Sequence, residues 1–155
     1  MKNASSFEKQ LKVISNLWKK KEFDKAFEKT AKLLELWPGN PKLYILWATF
    51  LQLQGKPKLL LSKAKKALTE AVVLNPESPI AIIELAYYLH NVEDKPKEAA
   101  KMFNRAVAIA KQNLMEALSG QAKVYLDLNK PQEASKETMS CVLELLSFED
   151  KRRKS

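Results

Sequence analysis

Apolar residues recur at three- and four-residue intervals along most of the chain, the rhythm of helices with one buried stripe. The clearest stretch is 79–111, PIAIIELAYYLHNVEDKPKEAAKMFNRAVAIAK. Its first part carries Ile82, Leu85, Ala86 and Leu89, and its second Ala99, Phe103, Ala106 and Val107, which predicts two helices joined by a short polar turn. Three further pairs follow the same logic. In 6–37, Ser5 with Glu8 forms a capping-box signature, and Leu11, Val13, Ile14, Leu17 and Trp18 run to a Lys19-Lys20-Lys21 end. Its second helix turns Phe23, Ala26, Phe27, Leu33 and Leu34 inward, and Pro38-Gly39 stops it. In 41–74, Asn40-Pro41 starts a helix burying Tyr44, Trp47, Ala48 and Leu51, Gly55 ends it, and a second follows with Ala64, Leu68 and Ala71 inward. In 113–147, Leu118, Ala122, Tyr125 and Leu126 are followed, after Pro131, by Ala134, Thr138, Cys141, Val142, Leu145 and Leu146. No period-two alternation bounded by strand turns occurs, so the fold is all-α. Residues 149–155 are expected to form a basic disordered tail.

The hairpins share a register. The small residues opening each second helix, Ala26, Ala64, Ala99 and Ala134, are spaced 38, 35 and 35 residues apart. ILWA (45–48) and ELAYY (84–88) set large apolar residues around a small one, Tyr125 stands nine before Ala134, and LWPGNP (36–41) and LNPESP (74–79) mark the junctions. This pattern resembles the tetratricopeptide repeat (TPR), whose unit is roughly 34 residues. The resemblance implies an α-solenoid of four antiparallel helical hairpins, a right-handed superhelix over residues 1–148. Three departures stand out. Ile14 occupies a position where the family has a small residue; the junction AIAKQNLMEA has no proline turn; and four extra residues fall near PKLL (57–60), leaving Leu59, Leu60 and Leu61 either protruding at the array edge or packed on a neighbouring helix. No polar capping helix follows 131–147. The apolar set Met139, Val142, Leu143, Leu145 and Leu146 is too wide for one neighbour, which points to a homodimer through this helix, a bound partner, or a tail curled over it.

In TPR proteins the first helices of successive repeats line a concave groove for a peptide. Carried over by register, the groove positions are Leu11, Ser15 and Trp18; Lys42, Ile45, Thr49 and Gln52; Ile83, Glu84, Tyr87 and His90; and Glu116, Ser119, Lys123 and Asp127. Such a lining suits a partner peptide with apolar anchors, with Trp18 and Tyr87 as candidate hot spots, although some positions could simply pack between helices. The family's carboxylate clamp for heat-shock chaperone tails would need Lys, Asn, Asn, Lys and Arg side chains where Leu11, Ser15, Leu46, Ile80 and Glu84 stand. Shifting the register one repeat gives Ile45, Thr49, Glu84, Glu116 and Gly120, equally unsuited to a terminal carboxylate. Such tails are therefore not expected as partners.

Charge changes the picture modestly. The net charge is +9, and +8 of it lies in residues 1–77, which favours acidic partners there, with nucleic acid a lesser alternative to a solvated lysine-rich surface. RNA-reading helical repeats use paired polar side chains, and Leu11, Ile45 and Ile83 do not resemble that code. His90 is the only histidine and Cys141 the only cysteine, so catalytic triads, zinc sites and an internal disulfide have little to build on. No enzyme activity, metal or cofactor is expected. Lys151, Arg152, Arg153 and Lys154 would contribute about 4 kcal/mol at an anionic surface, too little to anchor the chain to a membrane. With no signal-like or membrane-length apolar stretch, a cytoplasmic location is expected. The functional expectation is a non-enzymatic adaptor or co-chaperone holding a partner peptide in the groove. Its alternatives are an RNA-associated helical repeat and a self-associating assembly subunit.

Overall fold

The computed structural model describes the backbone of residues 4–53 and 58–153, and the side chains of these except 4, 5, 58, 59, 142 and 144–153. Seven helices are present among them: α1 (Ala4–Lys19), α2 (Phe23–Leu36), α3 (Pro41–Leu53), α4 (Lys58–Leu74), α5 (Pro79–Asn91), α6 (Pro96–Asp127) and α7 (Pro131–Arg153). No strand occurs among the described residues. The chain forms two compact units, residues 1–109 and 110–155.

In the first unit α1 packs on α2, α2 on α3, α3 on α4 and α4 on α5, and α3 also touches α5. Alanines allow these approaches: Ala26, Ala48, Ala64 and Ala86 are fully buried and Ala99 nearly so. Two apolar clusters result. One gathers Ile14, Ala26, Leu33, Leu43 and Phe50. The other gathers Ala48, Leu51, Leu68, Leu85, Tyr88, Leu89 and Ala99, with Trp47, Leu60 and Phe103 against it. Ile14, where a small residue is usual, is itself buried in the first cluster. Leu60 packs on the core, and the neighbouring Leu61 carbonyl accepts a 2.7 Å hydrogen bond from the Tyr88 hydroxyl. Leu60 and Leu61 are thus packed rather than protruding. Gly55 and the side chain of Leu59 lie outside the described residues.

Helix ends follow the expected chemistry in part. Ser78 caps α5 by accepting from the Ala81 amide, and Asn40 accepts from the Lys42 amide. Non-glycine residues take the left-handed conformation at three terminations: Lys21 (φ 59), Asp94 (φ 50) and Asn129 (φ 55). At Lys21 the Glu22 amide donates to the Leu17 carbonyl and the Lys21 amide to Trp18, the paired bonds of a Schellman ending.

Three expectations are corrected. Hairpins 79–111 and 113–147 are not separated by a turn, because α6 runs unbroken from Pro96 to Asp127. The junction has no proline or glycine to stop it, so helix propagation continues through Lys111 and Asn113. The tail 149–155 is not disordered throughout: α7 continues to Arg153, with no breaker after Pro131 and basic residues at the end where a helix favours them. Phe23, Val107 and Leu126, expected inward, are exposed.

The second unit pairs residues 110–127 of α6 with α7. Leu118 and Ala122 face Ala134, Thr138 and Cys141 across shallow cavities, and no described side chain from 110 to 141 is buried. No described helix is long and apolar enough to cross a membrane.

Candidate binding pocket

The first unit holds a concave pocket of about 500 Å³ lined by three first helices of the repeat. α1 contributes Leu11, Ile14, Ser15 and Trp18; α3 contributes Lys42, Ile45, Leu46, Thr49 and Phe50; α5 contributes Ile80. The spacing explains the grouping. Positions 11, 15 and 18 on α1, and 42, 45, 46 and 49 on α3, are three and four apart, so each set lies along one helix face.

The floor is buried and the rim is exposed. Ile14 and Phe50 are core residues, each 2% exposed. Trp18 stands on the rim at 39% exposure, with its ring 5.3 Å from Phe50 and 5.2 Å from Phe23, the latter edge-on. Two aromatic contacts hold the indole in one orientation before any partner arrives. Thr49 spends its hydroxyl on the Ile45 carbonyl of its own helix at 3.0 Å, so it presents mainly its methyl group. Lys42 is exposed, is the only charged lining residue, and has no ion-pair partner among the described residues. An apolar basin with one unpaired cation at its edge can hold aliphatic or aromatic side chains and one acidic group.

Six of the positions carried over by register, Leu11, Ser15, Trp18, Lys42, Ile45 and Thr49, meet in this one pocket. The others do not line it. Gln52 folds back to donate to the Ala48 carbonyl at 3.3 Å. Ile83 is half-buried, and Tyr87 is exposed and packs edge-on against Phe103 at 5.1 Å. His90 is exposed, with Nδ1 2.7 Å from the Asn91 amide oxygen. Lys123 belongs to the second unit and is exposed. In the C-terminal helix Met139 and Leu143 are exposed, while the side chains of Val142, Leu145 and Leu146 lie outside the described residues.

Four lining residues escape the groove assignment: Ile14, Leu46, Phe50 and Ile80. Leu46 and Ile80 carry a signal, since both stand at positions the carboxylate clamp would use. The helix faces that grip a charged tail in the clamp here form an apolar surface. Ile14 and Phe50 read as core from periodicity, and they are core; they reach the pocket as its floor.

Ion pairs lie elsewhere. Glu93 accepts from Lys65 at 2.8 Å and pairs with Lys95 at 3.0 Å, and these bonds hold its carboxyl below the ordinary carboxylate value. The Tyr88 phenol is pushed up by burial. Among the described residues no cluster of three His, Cys, Asp or Glu could hold a metal ion.

The stacked hairpins and the pocket formed by their first helices define a TPR-like helical-repeat fold. No protein-family model matches the chain, and no curated protein matches it in sequence. Solved structures do. PcrH, crystallised in complex with the chaperone binding region of PopD, is similar with a TM-score of 0.59 at 18% identity, over 84% of this chain and 96% of that one. MamA 41-end from Desulfovibrio magneticus RS-1 is similar with a TM-score of 0.57 at 20% identity, over 66% of this chain. A further MamA crystal structure gives 0.58 at 19% identity over 96% of this chain and 81% of that one. The chain spans little more than half, 55% and 57%, of the two RS-1 MamA structures.

Proposed function

We propose that this protein is a non-catalytic interaction scaffold that binds a segment of a partner protein in the pocket between α1, α3 and α5. The observation that carries the reading is the apolar basin of about 500 Å³ with a pre-oriented Trp18 and a lone Lys42 on its rim. PcrH, of similar fold, was crystallised with the chaperone binding region of another protein, which supports a peptide-binding role for this fold. The partner segment carries two or three apolar anchors and an acidic residue placed to meet Lys42. A role as adaptor or co-chaperone follows from holding such a segment.

The test is selection of peptides from a randomised library on wild-type protein, followed by affinity measurement against Trp18→Ala and Ile45→Asp. Ile45→Asp is expected to weaken binding at least about 30-fold, the effect of losing an interface hot spot. Peptides bound equally by all three proteins would refute the pocket as the site. Exposed Met139 and Leu143 support a second reading, self-association through the C-terminal helix.

A further inference from the structure

The pocket between α1, α3 and α5 has a direction. Lys42 and Ile80 are the second residues of α3 and α5, so the N-terminal ends of two helices meet at one end of it. At the other end Trp18, one residue before the end of α1, lies against Phe50 of α3. Lys42 and Phe50 are eight residues apart, a rise of about 12 Å, and Leu11 and Trp18 are seven apart, about 10 Å. Both walls are therefore about two helical turns long. α3 approaches α5 closely, but the backbones of α1 and α3 make no such approach among the described residues. Side chains bridge them instead, with Ile14 and Phe50 forming the floor. An apolar trough is left along the two helices.

What such a trough holds depends on the backbone of the occupant. The polar side chains of the lining are Ser15, Lys42 and Thr49, and the Thr49 hydroxyl is already given to the Ile45 carbonyl. The first amides of α3 are spent too: that of Lys42 donates to the Asn40 side chain and that of Leu43 to the Asn40 carbonyl. At α5 the Ala81 amide donates to Ser78. An extended segment crossing about 12 Å brings about four residues, with peptide N–H and C=O groups that this lining cannot bond. Each such group buried unpaired weakens binding about fivefold or more. A helix bonds its own peptide groups, and it presents apolar side chains three and four apart at the pitch of the walls. Charge frames the trough at both ends. Lys42 stands unpaired at one, and Lys19, Lys20 and Lys21 are exposed just past Trp18 at the other.

We propose that the occupant is an acidic amphipathic helix of a partner protein, lying along α1 and α3. Its apolar residues, three and four apart over two turns, fill the trough, and acidic residues stand at both ends, one of them meeting Lys42. This rests on the pocket being the binding site, and specifies the conformation and charge pattern of the segment that fills it.

The test uses peptides selected from a randomised library on the wild-type protein, keeping those that Ile45→Asp releases or, should that variant fail to fold, Trp18→Ala. In the complex, isotope-edited NMR of such a peptide is expected to show sequential amide–amide contacts over at least two turns, and far-UV circular dichroism a gain of helix on mixing. A proline at its centre is expected to weaken binding at least about 30-fold. Changing its acidic residues to the corresponding amides is expected to weaken binding about 5- to 10-fold at low salt, and much less at high salt. A pocket-dependent peptide that binds extended, or that tolerates the central proline, overturns the helix and leaves the pocket as the site. Pocket-dependent peptides that lose nothing with their acids overturn the charge pattern. If neither variant releases any selected peptide, the pocket itself fails as the site, and the helix with it.

Discussion

Lys21 carries a strain that glycine would relieve. Its φ of 59 places a β-carbon in the left-handed region, which costs roughly 1–2 kcal/mol for a residue with a side chain. Lys21→Gly is therefore expected to stabilise the fold by up to about 1 kcal/mol, once the greater freedom of glycine in the unfolded chain is subtracted, as read from denaturant midpoints. Glu93 sets a pH response. Its carboxyl is held low by the hydrogen bonds from Lys65 and Lys95, so its contribution is complete above the ordinary value of 4.5 and is lost as pH falls through the lower folded value. At neutral pH Glu93→Gln is expected to cost roughly 0.5–1 kcal/mol. That difference should disappear toward pH 3; a gap that stays constant with pH would exclude the ion pair as its source. Tyr88→Phe removes the bond to Leu61 and should cost about 1 kcal/mol. At this scale the sequence was uneven. Ala26, Ala48, Ala64, Ala86 and Ala99 announce the helix crossings because only a small side chain fits there. Lys21 announces nothing, because a lysine cluster at a helix end reads as favourable charge and conceals the backbone conformation.

Helices were legible where a breaker or cap marks them. Asn40-Pro41 and Ser78-Pro79 start α3 and α5 as their chemistry requires. The fourth junction shows why the rest was not. Periodicity locates a buried stripe but does not report a break in the helix that bears it, and the repeat register implied a turn that no residue between Val107 and Ala117 enforces. The missing proline turn was the available signal, and it outweighs the register. Within α6, Gly120 sits in a helix interior with open space where a β-carbon would stand. Gly120→Ala is expected to raise stability by about 0.5–1 kcal/mol without altering oligomeric state. Loss of stability on thermal melting would show that the site needs the close approach of another element.

For the molecule as a whole, the proposed function rests on what three helices can present together. Six groove positions inferred from register converge because residues three and four apart on α1 and α3 share a face, and α3 touches α5. Gln52, Tyr87 and His90 were indistinguishable from them in sequence. Each is diverted by a local contact, with Ala48, Phe103 and Asn91 respectively, that periodicity does not reveal. The lone cation gives the site a sign: Lys42→Glu should weaken acidic peptides at low salt and lose its effect as salt screens the exposed pair. The decisive measurement is methyl NMR of the wild-type protein titrated with a library-selected peptide. Intermolecular contacts to the methyls of Leu11, Ile45, Leu46 and Ile80 are expected, with Val73 and Leu143 unmoved. Saturating binding that leaves those four methyls unperturbed would contradict the pocket as the seat of recognition.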